Sequence, residues 1–428
     1  MDYLITAVFV VISFTVIYKV KMYGARGISK HWFAGSFALK LLAAGVMVVI
    51  YQKSERNKAD IFRFYDDAKV LTEVATTEPV NYIKMITGID GANPDLVKYY
   101  EQTNNWDYSE GSQLVSNNRF IIRYLSVISL LTFGSYGGVL VITIFFAFTG
   151  LFWVFRFFYS RIPKKKWIIF FVVFFTPSLV FWTSGLLKES LLVSFIGLSL
   201  NCGGFALKGR QSVFRLIIFS IALFFIFQLR AITAVLWILM ILPFIWNHFR
   251  PKQRAFISYF IFFFIAISFA SESDKIMTNG VYEIIIQKKE AFTQMALESQ
   301  SGSFISAAKL EPNTLSFIKN APSALMTVLF RPFPWEAKGI MMWVATFENI
   351  LLLIAIIFTL IFFNRKMSNY NLLWFSIIFA IFYMVIIGLS VPVLGAVSRY
   401  RVIPLLFFEL GLIQVLDIDH IKQRLKLS

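Results

Sequence analysis

Apolar stretches recur along the chain near 3–18, 33–52, 136–155, 167–184, 190–207, 213–229, 231–247, 255–271, 340–363, 371–391 and 401–416. Each is about the 17 to 25 residues that a helix needs to cross roughly 30 Å of hydrocarbon. They are continuous and lack the short in–out alternation of barrel strands, and only helices and closed barrels satisfy their backbone groups within lipid. The pattern predicts an all-α polytopic integral membrane protein with about eleven transmembrane helices. Two long polar segments interrupt it, 53–135 and 272–339, and the whole of 1–428 reads as a single integral membrane domain carrying them as loops. Within the first, 61–71 (IFRFYDDAKVL) reads as a short helix and 119–134 (RFIIRYLSVISLLTFG) as an interfacial or re-entrant one that GSYGG, 134–138, would end. The opening MDYLITAVFVVISFTVIY lacks a basic leader and a small-residue cleavage site, and is read as a retained span.

Composition agrees. Of 428 residues 58% are hydrophobic and only 15% charged, which excludes an ordinary soluble enzyme, yet the formal net charge is +17. In a membrane chain such an excess is first a topology signal. Six connections, 19–31, 156–166, 208–215, 248–254, 364–370 and 417–428, hold 20 basic residues, among them Lys208, Arg210, Lys252, Arg365, Lys366 and Lys426, against Asp417 and Asp419. They fall on one side only if all are cytoplasmic, which puts the N-terminus outside, the C-terminus inside and both long polar segments outside. Orientation then accounts for the basic excess without nucleic acid.

Seven basic side chains remain: Lys40, Arg119, Arg123, Lys188, Arg230, Arg399 and Arg401. Lys40 is expected to snorkel to the cytoplasm. The other six, with Arg331 of LFRPFPWE, fall at the outer edge, the side that the positive-inside rule depletes. A guanidinium suits phosphate and carboxylate oxygens, so a set of external cations points to an anionic ligand such as a lipid-linked pyrophosphate. The alternative for each is a resident acid, Asp66, Asp67, Glu189, Glu336 or Glu348, or a lipid headgroup.

Asp66 and Asp67 are adjacent and point to different faces of a helix, so that one serves as base or metal ligand while the other is solvated, or both are solvated. Lys188 and Glu189 either pair with each other or leave Lys188 to meet a phosphate at a helix N-terminus. Pro332 and Pro334 stiffen the segment that sets Arg331, Trp335 and Glu336. Glu409, in the last apolar run, needs a buried partner or a proton. Tyr99, Tyr100, Trp106 and Tyr108 read as interface anchors ahead of sugar-stacking platforms. Cys202 is a lone cysteine, and His31, His248 and His420 are scattered, so no disulfide or His/Cys metal cluster is indicated. Walker-type and GxGxxG loops are missing too, and no cofactor is implied, a divalent cation being left open.

PSLVFWTSGLLKES (177–190), LFRPFPWE (329–336), SRYR (398–401) and the Tyr-Asp-Asp-Ala element of the first polar segment resemble motifs of bacterial polysaccharide-biosynthesis membrane proteins, the O-antigen repeat-unit polymerase-like and GT-C glycosyltransferase-like group. The resemblance implies a glycosyltransferase or repeat-unit polymerase that acts on a polyprenyl-pyrophosphate-linked saccharide at the outer face of the bacterial cytoplasmic membrane, among membrane lipids and other polysaccharide-assembly proteins. It would make Asp66 or Asp67 the catalytic base and Lys188, Arg331, Arg399 and Arg401, with Arg123 and Arg230, the phosphate-binding set, supported by Glu189, Trp335 and Glu336. In GT-C enzymes the carboxylate-bearing loop follows the first span, whereas here it follows the second. A transporter or flippase of an anionic lipid-linked glycan, and a non-catalytic component of the assembly, are the alternatives.

Overall fold

A computed structural model describes the chain except residues 55, 57–58, 92, 107–116, 204–211, 251–253, 301, 307–308, 365–368 and 425–428. Tyr108, Lys208, Arg210, Lys252, Arg365, Lys366 and Lys426 lie outside the described residues. Among the described residues the structure is helical with no strand.

In chain order α1 (Asp2–Lys19) and α2 (Lys30–Ser54) are followed in the first polar segment by α3 (Asp60–Thr77), α4 (Pro79–Thr87), α5 (Pro94–Tyr100) and α6 (Asn117–Leu131). Then come α7 (Tyr136–Tyr159), α8 (Lys166–Phe175), α9 (Pro177–Trp182), α10 (Lys188–Gly203), α11 (Ser212–Leu229), α12 (Ala231–Phe249) and α13 (Ala255–Glu272). The second polar segment holds α14 (Val281–Glu298) and α15 (Thr314–Phe330), and α16 (Ile340–Ile361), α17 (Tyr370–Ser390), α18 (Leu394–Tyr400), α19 (Val402–Val415) and α20 (Ile418–Arg424) complete the chain. Seven helices among the described residues are long and apolar enough to cross a membrane: α1, α2, α7, α12, α13 with the turn after it, α16 and α17. The other apolar runs form shorter pieces. The run at 167–184 is broken at Thr176, because Pro177 has no N–H to offer and starts a new helix there.

Local chemistry sets the boundaries. Asn93, Asn313 and Asn369 cap α5, α15 and α17, their side-chain oxygens accepting from Asp95 N, Ser316 N and Leu372 N. Gly88 closes α4 at φ 77°, a left-handed conformation that glycine adopts without strain. Lys165 Nζ donates to the carbonyls of Ile413, Gln414 and Leu416 at 2.9, 2.9 and 2.6 Å, satisfying the open end of α19 with a cation where the helix dipole favours one.

The chain forms two compact units, Met1–Phe157 with Val180–Ala234, and Phe158–Leu179 with Val235–Ser428. In the first, α2 and α7 pack through an aromatic cluster of Phe33, Phe37, Phe148 and Phe152. There α7 and α10 touch backbone to backbone: a Cβ on Gly197 would lie 2.1 Å from Gly150 O, so small residues carry this contact as they do in many membrane helix pairs. In the second unit Trp237 of α12 sits edge-on to Phe375 and Phe379 of α17 and Phe407 of α19, while Gly388 of α17 lets the backbone of α15 approach at Ala324.

Candidate functional site

In the first unit α3 lies against α6. The Asp pair on α3 divides as adjacency on a helix requires. Asp67 is 1% exposed, and its carboxylate accepts from Asn104 N (2.7 Å), Asn105 N (2.8 Å) and Asn105 Nδ2 (3.0 Å). Both its oxygens are taken up by donors within the fold, so Asp67 is corrected from candidate base to the anchor of the 104–106 turn. Asp66 is exposed. Loss of water on one side, the largest cause, pushes its carboxyl above the ordinary aspartate range, while Arg56 and Lys69 oppose the rise and Asp67 adds to it.

The turn that Asp67 holds delivers Trp106. Its indole is 4% exposed and stacks on Tyr100 at 4.6 Å and 12°, with the guanidinium carbons of Arg119 and Arg123 each 5.4 Å from its ring. Arg119 and Arg123 stand one turn apart on α6, and Arg123 Nε donates to Met85 O at 2.8 Å. Tyr100 and Trp106 are therefore inside the fold, neither membrane anchors nor sugar platforms, and Arg123 is held on the indole and not offered to a phosphate. Asn118 precedes this pair. Its Oδ1 accepts from Lys188 Nζ at 2.7 Å, and the same ammonium lies 5.7 Å from the centre of Phe64 on α3. Lys188, half-buried at the start of α10, is thus positioned by α6 and α3 together.

Glu189 has a partner far along the chain. It is 1% exposed and forms an ion pair with Arg230. Lys40 does not snorkel: at 1% exposed it donates from Nζ to Thr183 O (2.9 Å) and Thr183 Oγ1 (2.5 Å), bracing the WTSG turn.

In the second unit RPFPWE closes on itself. Arg331 grips Glu336 with two nitrogens, Nε to Oε2 at 3.1 Å and Nη2 to Oε1, and Phe333 N donates to Glu336 Oε2 at 2.9 Å. The hydrogen bond from Arg331 holds the Glu336 carboxyl below the usual range. Trp335 stacks on Phe333 at 4.9 Å and is 80% exposed. Pro332 O accepts from Thr346 Oγ1 and Asn349 Nδ2 of α16, each at 3.2 Å, which seats the turn on that helix.

One turn of α16 links the segment to a buried polar centre. Glu348, 3% exposed, accepts from Arg401 Nη2 at 3.2 Å and from Ser178 N at 2.6 Å, so that it caps the new helix begun by Pro177. Arg401 is fully buried and its Nη1 donates to Val328 O at 2.8 Å. It ties α15 to α16 and presents nothing to a phosphate. Glu409 has Thr176 as its partner, through Oγ1 at 2.9 Å. Arg399 is half-buried on α18.

A cavity of about 870 Å³ opens at the head of α15, lined by Lys309, Lys319, Asn313, Asn320, Ser316 and Tyr282 among others. Two lysines face one carboxylate, Glu311, and the rest of the polar lining is amide and hydroxyl, a set that holds anions and sugar hydroxyls. No motif marked it. The only trace in the sequence is the run KLEPNTLSFIKN, in which an Asn cap and two lysines ten residues apart meet at a helix start. Among the described residues no group of three metal-ligating side chains occurs.

No family model, curated protein or solved structure matches the chain.

Proposed function

We propose that the chain is a glycosyltransferase or repeat-unit polymerase that acts on a polyprenyl-pyrophosphate-linked saccharide at the outer face of the bacterial cytoplasmic membrane, with about eleven spans, the N-terminus outside and the C-terminus in the cytoplasm. The observation that carries this reading is the cavity at the head of α15. Its volume of about 870 Å³ lies within the range of sites that enclose small ligands, and it joins two lysines to five neutral polar side chains and a tyrosine in a polar segment. Such a lining suits a sugar with an acidic group or a phosphate, and it stands in a segment that the charge distribution assigns to the outside.

In this reading Asp66 takes the proton of an acceptor hydroxyl and the oxygen attacks the anomeric carbon. The bond from that carbon to the pyrophosphate oxygen breaks, and the electron pair leaves with the polyprenyl pyrophosphate. Lys188, held by Asn118 at 2.7 Å, supports the developing negative charge. The burial and pairing of Arg123, Arg230 and Arg401 and the grip of Glu336 on Arg331 give these four structural work, so in the first unit the phosphate-contacting role falls to Lys188, and in the second unit the two cavity lysines are a candidate saccharide-binding site in their own right. The test is sugar transfer by purified protein: Lys309→Ala with Lys319→Ala is expected to raise the KM for the lipid-linked donor about tenfold, the loss of roughly 1.4 kcal/mol of binding. An unchanged KM rules out the cavity as a binding site for the donor saccharide.

The transporter reading keeps one specific support, a membrane helix broken at Thr176 and Pro177 with charged side chains gathered at the break.

A further inference from the structure

Where α12 ends and α13 begins, a second cavity of about 570 Å³ plays no part in the proposed transfer. It is lined by Trp246 of α12, by Ile257, Ser258, Ile261 and Phe262, which share one face of α13 at helical spacing, and by Arg254 just ahead of that helix. Ile257 and Ile261 are half-exposed, so the cavity opens on the apolar outer surface of the helix pair. Both helices are long and apolar enough to cross a membrane, and in a bilayer that surface faces lipid. The floor is fixed from within. Asn247, buried on α12, accepts from Ser258 Oγ at 2.5 Å and donates to Ala255 O at 3.3 Å and to Asn371 Oδ1 of α17 at 3.0 Å. Asn371 Nδ2 donates in turn to Phe244 O at 2.9 Å, and Tyr259 OH donates to Asn371 Oδ1 at 2.9 Å. The network spends the Ser258 hydroxyl inside the protein, and what is left toward the cavity is aliphatic and aromatic surface with one guanidinium.

Charge at this edge has one sign. The connection between the two helices reads HFRPKQR, and residues 231–271 contain no Asp or Glu. Arg254 has no ion-pair partner among the described residues. The Arg250 guanidinium carbon lies 5.1 Å from the centre of the Trp246 ring, which adds a second positive charge beside the cavity. We propose that this cavity binds an anionic phospholipid of the surrounding bilayer, with an acyl chain along Ile257, Ile261 and Phe262 and the phosphate on Arg254. An apolar slot that ends in a guanidinium fits an amphipath with an anionic head, and basic pockets between membrane helices hold such headgroups. A zwitterionic lipid brings its own ammonium to an edge that is already positive, and that like charge is what discriminates against it. The occupant is the phospholipid and not the polyprenyl carrier of the proposed reaction, because connection 248–254 is assigned to the membrane face opposite the polar segments where that carrier would react.

Native mass spectrometry of the purified, delipidated full-length protein reads this site and involves no saccharide, so its outcome is independent of the transfer reaction. The probes are dioleoylphosphatidylglycerol and dioleoylphosphatidylcholine, which share their acyl chains and differ in headgroup charge. The wild type is expected to bind its first phosphatidylglycerol more tightly than its first phosphatidylcholine. Arg254→Gln is expected to lose about fivefold in phosphatidylglycerol affinity and to leave phosphatidylcholine unchanged. Ile261→Trp fills the slot from a half-exposed position that the Asn247 network does not use, and is expected to lose the first site for both lipids. Equal affinity of the wild type for the two lipids overturns the proposal, as does a phosphatidylglycerol preference kept in full by either variant. Preferential binding of a polyprenyl phosphate offered in equal amount also overturns it, since the carrier would then be the occupant. The wild-type comparison and two variants at different positions keep the proposal open to refutation even where one variant does not fold.

Discussion

At the scale of single residues, burial separates side chains that look alike in the sequence. Asp66 and Asp67 are neighbours, yet Asp67 fills both oxygens with three donors while Asp66 stays exposed. Asp67→Ala is therefore expected to destabilise the protein by on the order of 2 kcal/mol, since it removes three hydrogen bonds that fix the 104–106 turn, whereas Asp66→Asn should leave the thermal midpoint in detergent unchanged and abolish transfer. Equal midpoints for the two variants would contradict this division. Titration gives a second check. A base must be ionised, so the rate rises with pH through the elevated pKa of Asp66. Arg56 works against that elevation, so Arg56→Gln should move the acid limb of the pH–rate profile to higher pH. The same group contributes stability below its ordinary pKa and loses it as pH rises through the folded one. Glu336 behaves oppositely: its folded pKa is lowered by Arg331, so its contribution is present above the ordinary glutamate pKa of about 4.3 and fades as pH falls through the folded value. That pair is about a quarter exposed on the arginine side (26%), so the effect should stay below about 1 kcal/mol, seen as the acid-side difference in thermal midpoint between wild type and Glu336→Gln.

At the scale of elements, the break in the run at 167–184 organises the second unit. Pro177 ends one helix and starts another, Glu348 caps the new N-terminus, and Arg401 compensates that carboxylate. Removing Glu348 leaves a fully buried guanidinium uncompensated, and Glu348→Ala should cost about 3–5 kcal/mol in equilibrium unfolding. Glu348→Ala with Arg401→Met should recover most of the loss; a double variant as unstable as the single one would show that the pair is not the reason. The helices were largely legible because apolar runs and Asn, Pro and Gly punctuation are local signals. Pairing was not, because it joins distant positions: nothing near Glu189 announces Arg230, and nothing near Glu348 announces Arg401 or Ser178. Arg119 and Arg123 read as ligand-facing for the same reason, since their partner Trp106 reaches them through a turn that Asp67 holds. Lys40 looks like a snorkelling lysine because its position in an apolar helix says nothing of the Thr183 oxygens facing it.

At the scale of the whole molecule, the proposed topology takes up most of the excess of 41 basic residues over 24 acids, and leaves only a small remainder to meet an anionic ligand. The topology is open to direct labelling, because Cys202 is the only cysteine and is buried. In a Cys202→Ser background, Asp95→Cys should react with an impermeant maleimide from outside intact cells, and Lys164→Cys only after the membrane is opened. The reverse pattern would invert the topology and take the polar segments away from an outer-face substrate. The most direct measurement is incubation of the purified protein in a membrane mimetic with polyprenyl-pyrophosphate-linked repeat units. A longer glycan and free polyprenyl pyrophosphate are predicted, both lost in Asp66→Asn and strongly reduced in Lys188→Ala. Donor that stays intact with the wild-type protein, or transfer that survives undiminished in both variants, would contradict the account.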